Sequence, residues 1–234
     1  MLTKDKFLSE KLGKPAWRVE RLEEITQERF RRGQNGFVYA KVDCTDIAAI
    51  TTLGKLGFSL IEVNVQYDRG NTGPWAPVDL PAGYGVRFAK TPDAVDVEKI
   101  AETSFVHTRF HADPLISNDR ADNIKCQWAA NYFKKKRGDW MIVLTYRGAT
   151  VGFLQLFLRN FTICVDLIAV EERHQNNGFS GKMIEFAGTQ RAAWNRMLVG
   201  TQLSNVASIR AYEKLGFRLC GSSFVLHYHG PVST

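Results

Sequence analysis

From Gly36 onward the alternation of apolar and polar positions becomes regular and predicts an α/β chain. Phe37-Val38-Tyr39-Ala40-Lys41-Val42 reads as a strand, Thr45 to Leu56 as a helix with Thr45 its cap, and Phe58 to Tyr67 as a second alternating strand. Upstream, Pro15, Trp17 and Val19 suggest a short strand and Ile25 to Arg32 a short helix. Downstream, Gly70, Gly73, Pro74, Pro77, Pro81 and Gly83 concentrate breakers around residues 71–83, which read as a linker between two lobes, 1–70 and 84–234. The second lobe is predicted as a strand at Val86 to Ala89, a helix opened by Thr91-Pro92-Asp93 and running to about Val106, and a helix from Asn118 to Lys136. Three strands follow at Trp140 to Tyr146, Ala149 to Leu158 and Thr162 to Val170, then a helix from Gly178 to about Asn195. A strand at Met197 to Leu203, a helix over Ser204 to Phe217 and a strand at Arg218 to Tyr228 close the chain.

The strand-helix-strand unit recurs. A shift of 159 positions lays Ala48, Ile50, Lys55, Leu56, Gly57, Phe58 and Leu60 on Ala207, Ile209, Lys214, Leu215, Gly216, Phe217 and Leu219. The departures carry the information: Asp46, Ala49 and Leu53 in the first copy stand where Asn205, Ser208 and Tyr212 stand in the second. At helical spacing those three polar residues share a side with Ile209, Ala211 and Leu215, while Arg210, Glu213 and Lys214 face away. A buried amide, hydroxyl and phenol without partners cost roughly 1 to 3 kcal/mol each, so the backbone or a ligand must satisfy them. The first copy therefore reads as scaffold and the second as the one that meets a ligand.

With 234 residues, 44% of them hydrophobic, the chain can bury a large core. Nothing resembles an apolar membrane span or a cleaved leader, which points to the cytoplasm. Cys44, Cys126, Cys164 and Cys220 are isolated, without the paired spacing of a zinc or redox motif, so reduced thiols and no metal are expected. The net charge of +7 suits an anionic partner. Nucleic acid is not expected, because no zinc finger, helix-turn-helix or basic-aromatic run is present. The basic run Lys134 to Arg137 reads first as the complement of a helix C-terminus before Gly138.

The candidate chemistry begins after the strand ending at Val170. There Gln175-Asn176-Asn177-Gly178-Phe179-Ser180-Gly181 leads into a helix, and a glycine-containing turn at a helix start leaves backbone N–H groups pointing outward at the positive end of the dipole. This stretch resembles the (R/Q)xxGx(G/A) signature of the Gcn5-related N-acetyltransferase superfamily, with Ser180 in place of the last small residue. Asn205, Tyr212 seven residues on and the Leu215-Gly216-Phe217 ending resemble that family's second motif. Leu56-Gly57-Phe58-Ser59-Leu60, Thr108-Arg109-Phe110 and Gln127-Trp128 further resemble the bacterial dTDP-fucosamine acetyltransferases. The resemblance implies a mixed, mostly antiparallel sheet flanked by helices, with a smaller degenerate lobe before the catalytic one. It implies acetyl-CoA as cofactor, its pyrophosphate on residues 175–181 and its pantetheine along Leu167, Ile168, Ala169 and Val170, with Asn205 and Ser208 beside it. Tyr212 becomes the donor to the departing sulfur. The acceptor implied is a small amine, first an anionic nucleotide-linked amino sugar with Arg109 and its neighbours at the acceptor; a protein or peptide amine, a polyamine, an antibiotic, or a non-catalytic acyl-CoA sensor stay open as alternatives. Asp166, His107, His111 or a water chain stay open as the base, and a homodimer stays open as the assembly.

Overall fold

The computed structural model describes residues 1–21, 30, 35–71, 74–190 and 193–230. The helix expected over Ile25 to Arg32 falls largely outside them. Among the described residues ten strands form one sheet: β1 (Leu2–Lys4), β2 (Ala16–Val19), β3 (Phe37–Asp43), β4 (Ser59–Gly70), β5 (Tyr84–Phe88), β6 (Trp140–Tyr146), β7 (Ala149–Arg159), β8 (Thr162–Val170), β9 (Arg196–Gln202) and β10 (Arg218–His229). Their spatial order is β1-β2-β3-β10-β4-β9-β8-β7-β6-β5. Only β2/β3 and β8/β9 pair in parallel, as a mixed, mostly antiparallel sheet requires. The last strand, β10, lies between β3 and β4, so residues on both sides of 71–83 contribute to one hydrogen-bonded sheet.

Among the described elements six α-helices cover it: α1 (Lys6–Leu12), α2 (Ile47–Lys55), α3 (Ala94–Thr103), α4 (Asn118–Phe133), α5 (Phe179–Gly188) and α6 (Val206–Lys214). Strand alternation assigns them to faces. Met141 and Val143 of β6 pack on α3 and α4, whereas Ile142 and Leu144 pack with residues of α5 and α6. Phe37 of β3 packs with α1 and α4, whereas Val38, Ala40 and Val42 pack with α2. One face thus carries α1, α3 and α4, the other α2, α5 and α6.

The two repeat copies are built alike at their helix starts. Asp46 Oδ1 accepts from Ala49 N at 2.9 Å, and Asn205 Oδ1 accepts from Ser208 N at 3.2 Å, each an N-cap. The cap of α2 is therefore Asp46 rather than Thr45, whose hydroxyl donates instead to Asp43. The turn Arg147-Gly148, with φ of 48° and 91°, joins β6 to β7 as a tight hairpin.

Two boundaries differ from the local pattern. α5 stops at Gly188 instead of running toward Asn195, and Trp75 packs so closely on Gly188 that a Cβ there would meet its indole at 2.1 Å. Trp75, from the breaker-rich stretch, is buried against Trp194 and Phe217 with the Arg69 guanidinium 3.7 Å from its ring. That stretch is pinned to the core as well as joining the two segments. α4 ends at Phe133, and the amides of Lys136 and Arg137 turn back to the Asn131 carbonyl.

Candidate active site

The site starts at a gap in the sheet. β8 and β9 pair only through Thr162/Arg196, Ile163/Met197 and Cys164/Leu198, and beyond that they separate. A bulge supplies the cause: on β7, Gln155 faces Leu167 while the next residue, Leu156, faces Val165, which leaves Asp166 as an extra residue that bends β8. Leu167, Ile168, Ala169 and Val170 remain paired to β7 but have no β9 partner, so one edge of their backbone is open for hydrogen bonding. Asp166 itself is engaged. Arg137 Nε and Nη2 each donate to it at 2.7 Å and Gln155 Nε2 donates at 2.8 Å, so it braces the bulge and is no free base. Arg137 thus leaves the basic run to hold the sheet.

At the end of β8 the chain turns through a 3₁₀ turn (Glu172–His174) into the loop before α5. His174 is buried, its Nδ1 2.7 Å from the Tyr84 hydroxyl. Gln175 Nε2 donates to the Val170 carbonyl at 2.8 Å, and Asn177 Nδ2 donates to the carbonyls of His174 and Gln175. These side chains brace the loop from within. Its amides are left outside: among the described residues, the backbone N–H groups of Asn176, Asn177, Gly178, Phe179, Ser180 and Gly181 have no internal acceptor. Asn176 and Gly178 adopt left-handed φ of 62° and 73°, turning successive amides to one side, and a Cβ at Gly178 would meet nothing within 4 Å. The loop thus presents unpaired amides at the start of a ten-residue helix, the form that an anion-binding helix N-terminus takes.

α6 brings the polar stripe to this gap. Asn205 is the cap, which uses its Oδ1; its Nδ2 has no hydrogen-bond partner among the described residues. Tyr212 is 5% exposed, its ring 6.4 Å from Tyr67 and 6.1 Å from Phe217, with Ser208 in hydrogen-bonding reach of its hydroxyl. Burial pushes the phenol up to about 12. It therefore keeps its proton at neutral pH.

On the α4 face a cavity of about 590 Å³ is lined by Ile61, Glu62 and Val63 of β4, by Val106, His107, Thr108, His111 and Ala112 of the segment after α3, and by Gln202, Leu203 and Ser204. The last three run straight into Asn205 and α6, so the cavity adjoins the start of that helix. His107 is exposed on its wall. His111 is held between Thr108 Oγ1 at 2.6 Å and Asp122 Oδ1 at 2.9 Å. Arg109 lies beneath, its guanidinium 4.1 Å from the Tyr39 ring and 4.6 Å from that of Phe110, with one buried Nη1 unpartnered. Lys125 of α4 sits over Phe105 and Trp128, and burial pushes it down to about 8 against the opposing pull of Asp166. Glu62 and Lys125 escaped the sequence reading. Glu62 occupies a polar position of an alternating strand, which looks solvent-facing until the 106–112 segment roofs it.

Asp113 ties that roof to the sheet. Its Oδ2 accepts from His227 Nδ1 at 2.6 Å and His229 Nε2 at 2.7 Å, and Lys14 Nζ lies 3.1 Å from His229 Nδ1. Among the described residues these three are the group with ligand atoms close enough, within 4.8 Å, to hold a metal ion; here they serve one another as hydrogen-bond partners. Burial alone would raise Asp113, but its bonds from His227 and His229 hold it well below the ordinary aspartate range. Burial pushes His227 down to about 4. The unfolded imidazole gains a proton near 6.5, so between those values the unfolded state binds more protons and stability falls as pH drops. The melting temperature is expected to fall by several degrees between pH 7 and pH 5, and His227→Gln to flatten that fall. A wild-type curve flat over this range would contradict the assignment.

Comparison with known proteins agrees with this geometry. Residues 99–217, over half of the chain, match the model of the acetyltransferase (GNAT) family. The chain belongs to that family. Its fold is the GNAT fold. It is 33% identical over 146 residues to the spore coat polysaccharide biosynthesis protein SpsD of Bacillus subtilis, covering 58% of this chain and 48% of SpsD. The chain thus spans about half the length of that relative. It is 23% identical over 194 residues to dTDP-fucosamine acetyltransferase of Escherichia coli, covering 81% of this chain and 80% of that protein. Among solved structures, a tandem GNAT protein from the clavulanic acid biosynthesis pathway superposes with a TM-score of 0.64 at 14% identity, covering 94% of this chain and 76% of that one. At that identity the likeness concerns the fold. No helix among the described residues of this GNAT protein is long and apolar enough to cross a membrane.

Proposed function

We propose that this GNAT enzyme transfers the acetyl group of acetyl-CoA to the primary amine of a small anionic acceptor, a nucleotide-linked amino sugar. The observation that carries the reading is the conjunction of the unpaired β8 edge with the unpartnered amides 176–181, two sets of main-chain groups open toward a ligand. When bound, acetyl-CoA supplies a thioester. The amides of residues 176–181 would hold its diphosphate, with Ser180 adding a hydroxyl, and the backbone of Leu167 to Val170 would pair with its amide-bearing arm. Asn205 Nδ2 would steady that arm. Tyr212 would place its O–H toward the sulfur, where negative charge grows as the C–S bond breaks.

The acceptor is proposed for the cavity beside Glu62 and Gln202, with Arg109 and Lys125 beneath it as the positive field an anion needs. The names of the two curated relatives, one in polysaccharide biosynthesis and one a dTDP-sugar acetyltransferase, support an amino sugar. A panel of amines incubated with acetyl-CoA and followed by thiol release tests this. Turnover of a dTDP-linked amino sugar well above that of peptides and polyamines is expected; turnover of peptides alone would reject the acceptor class.

A further inference from the structure

We infer that Glu62 of β4 is the base that takes the proton from the acceptor's ammonium group. The inference rests on the acetyl-transfer reading and gives the first chain segment a part in the chemistry. Glu62 lines the cavity directly, whereas Asp166 is locked to Arg137 and His111 is spanned by Thr108 and Asp122. Its contact to a neighbour is one long bond from Gln202 Nε2 to Oε1 at 3.4 Å, and its buried Oε2 has no partner. The residue lines the cavity and one of its carboxylate oxygens lacks a partner, so the carboxylate has hydrogen-bonding capacity to spare for an amine held there. Gln202 ends β9, the strand whose parting from β8 opens the cofactor gap, so the carboxylate and the thioester would meet at the same place.

The surroundings set its basicity. Lys41 on β3, Arg109 beneath the roof and Lys125 on α4 all favour the ionised form, and the wall also carries His107 and His111, yet burial outweighs them and leaves Glu62 raised above the ordinary glutamate value. A raised carboxylate is a stronger base. In the step, the ammonium passes one proton to Glu62; the free amine adds its lone pair to the thioester carbonyl carbon; the C–S bond breaks with the electron pair leaving on sulfur, which the Tyr212 O–H meets. The second N–H proton restores Tyr212, and Glu62 returns its proton to solvent.

The experiment compares wild type, Glu62→Gln and Glu62→Asp by kcat/KM against pH, using the amine that the wild type acetylates best. Glu62→Gln is expected to lose about 10²- to 10⁴-fold near neutral pH with KM for acetyl-CoA unchanged, and the deficit is expected to shrink as pH rises past the pKa of the acceptor amine. Glu62→Asp should retain a carboxylate and fall between the two. A deficit that stays constant with pH, or no deficit, would overturn the role. Thermal stabilisation by coenzyme A reports that each variant is folded. Failure of the wild type to acetylate any amine would instead overturn the acetyl-transfer reading.

Discussion

Replacing Tyr212 by Phe is expected to lower kcat by about 10- to 1,000-fold while the affinity for acetyl-CoA stays within a factor of a few. The ring remains, and with it the packing against Tyr67 and Phe217; only the hydroxyl is lost. Because burial holds the phenol at about 12, the wild-type residue carries its proton at every usable pH, and no alkaline limb in kcat below pH 10 is expected from it. The nearby Ser208 hydroxyl supports the phenol but sits one turn back on α6, so it is a poor substitute. Steady-state kinetics with a saturating amine, together with calorimetric binding of coenzyme A, check both halves. A variant with wild-type kcat would remove Tyr212 from the chemistry and leave it as a core residue.

The second large effect is expected at Gly178. Its φ of 73° lies in the left-handed region, where a β-branched side chain is strained, and a side chain there would stand in open space next to the turn's unpaired amides. Gly178→Val should therefore weaken coenzyme A binding at least tenfold, through both the turn and the blocked approach of the diphosphate. Binding of pantetheine, which lacks the diphosphate, should change little, because the β8 edge that would hold it lies before the loop. Isothermal titration of the two ligands against both proteins separates the effects. Equal losses for both ligands would mean that the substitution acts by unfolding the region and that the cradle account is mistaken.

Much of this was legible in sequence because it is local. Alternation in β6, β7 and β8 and the Arg147-Gly148 turn need only neighbours along the chain, and their boundaries fall within a residue of the pattern. The repeat offset likewise foretold that Asp46 and Asn205 would occupy equivalent places, which both fill as helix caps. Spacing alone could not divide Asn205 between capping and ligand contact, since a cap and a ligand-facing residue at a helix start have the same sequence signature.

What escaped depends on long-range packing. α5 ends where Trp75, far away in the chain, packs on Gly188, whereas Trp194 continues a helical period that the backbone does not follow. The bulge at Asp166 lies inside a run that reads as uninterrupted strand. Asp113 meets His227 and His229 only through the tertiary fold, and the half-buried Glu62 comes to share a cavity with residues of the 106–112 segment in the same way. The signal for Glu62 was present as the polar series Glu62, Asn64 and Gln66 in β4, because Asn64 is itself buried and donates to the Thr201 carbonyl at 3.1 Å.

The most direct measurement is amide hydrogen exchange with and without coenzyme A. The amides at 176–181 and the β8 backbone at 167–170 are expected to gain protection together on binding, while the strands of the far edge, β1 and β2, stay as they were. Binding of coenzyme A that leaves both of those segments exchanging as in the free protein would contradict the assignment of the gap and the loop as its seat.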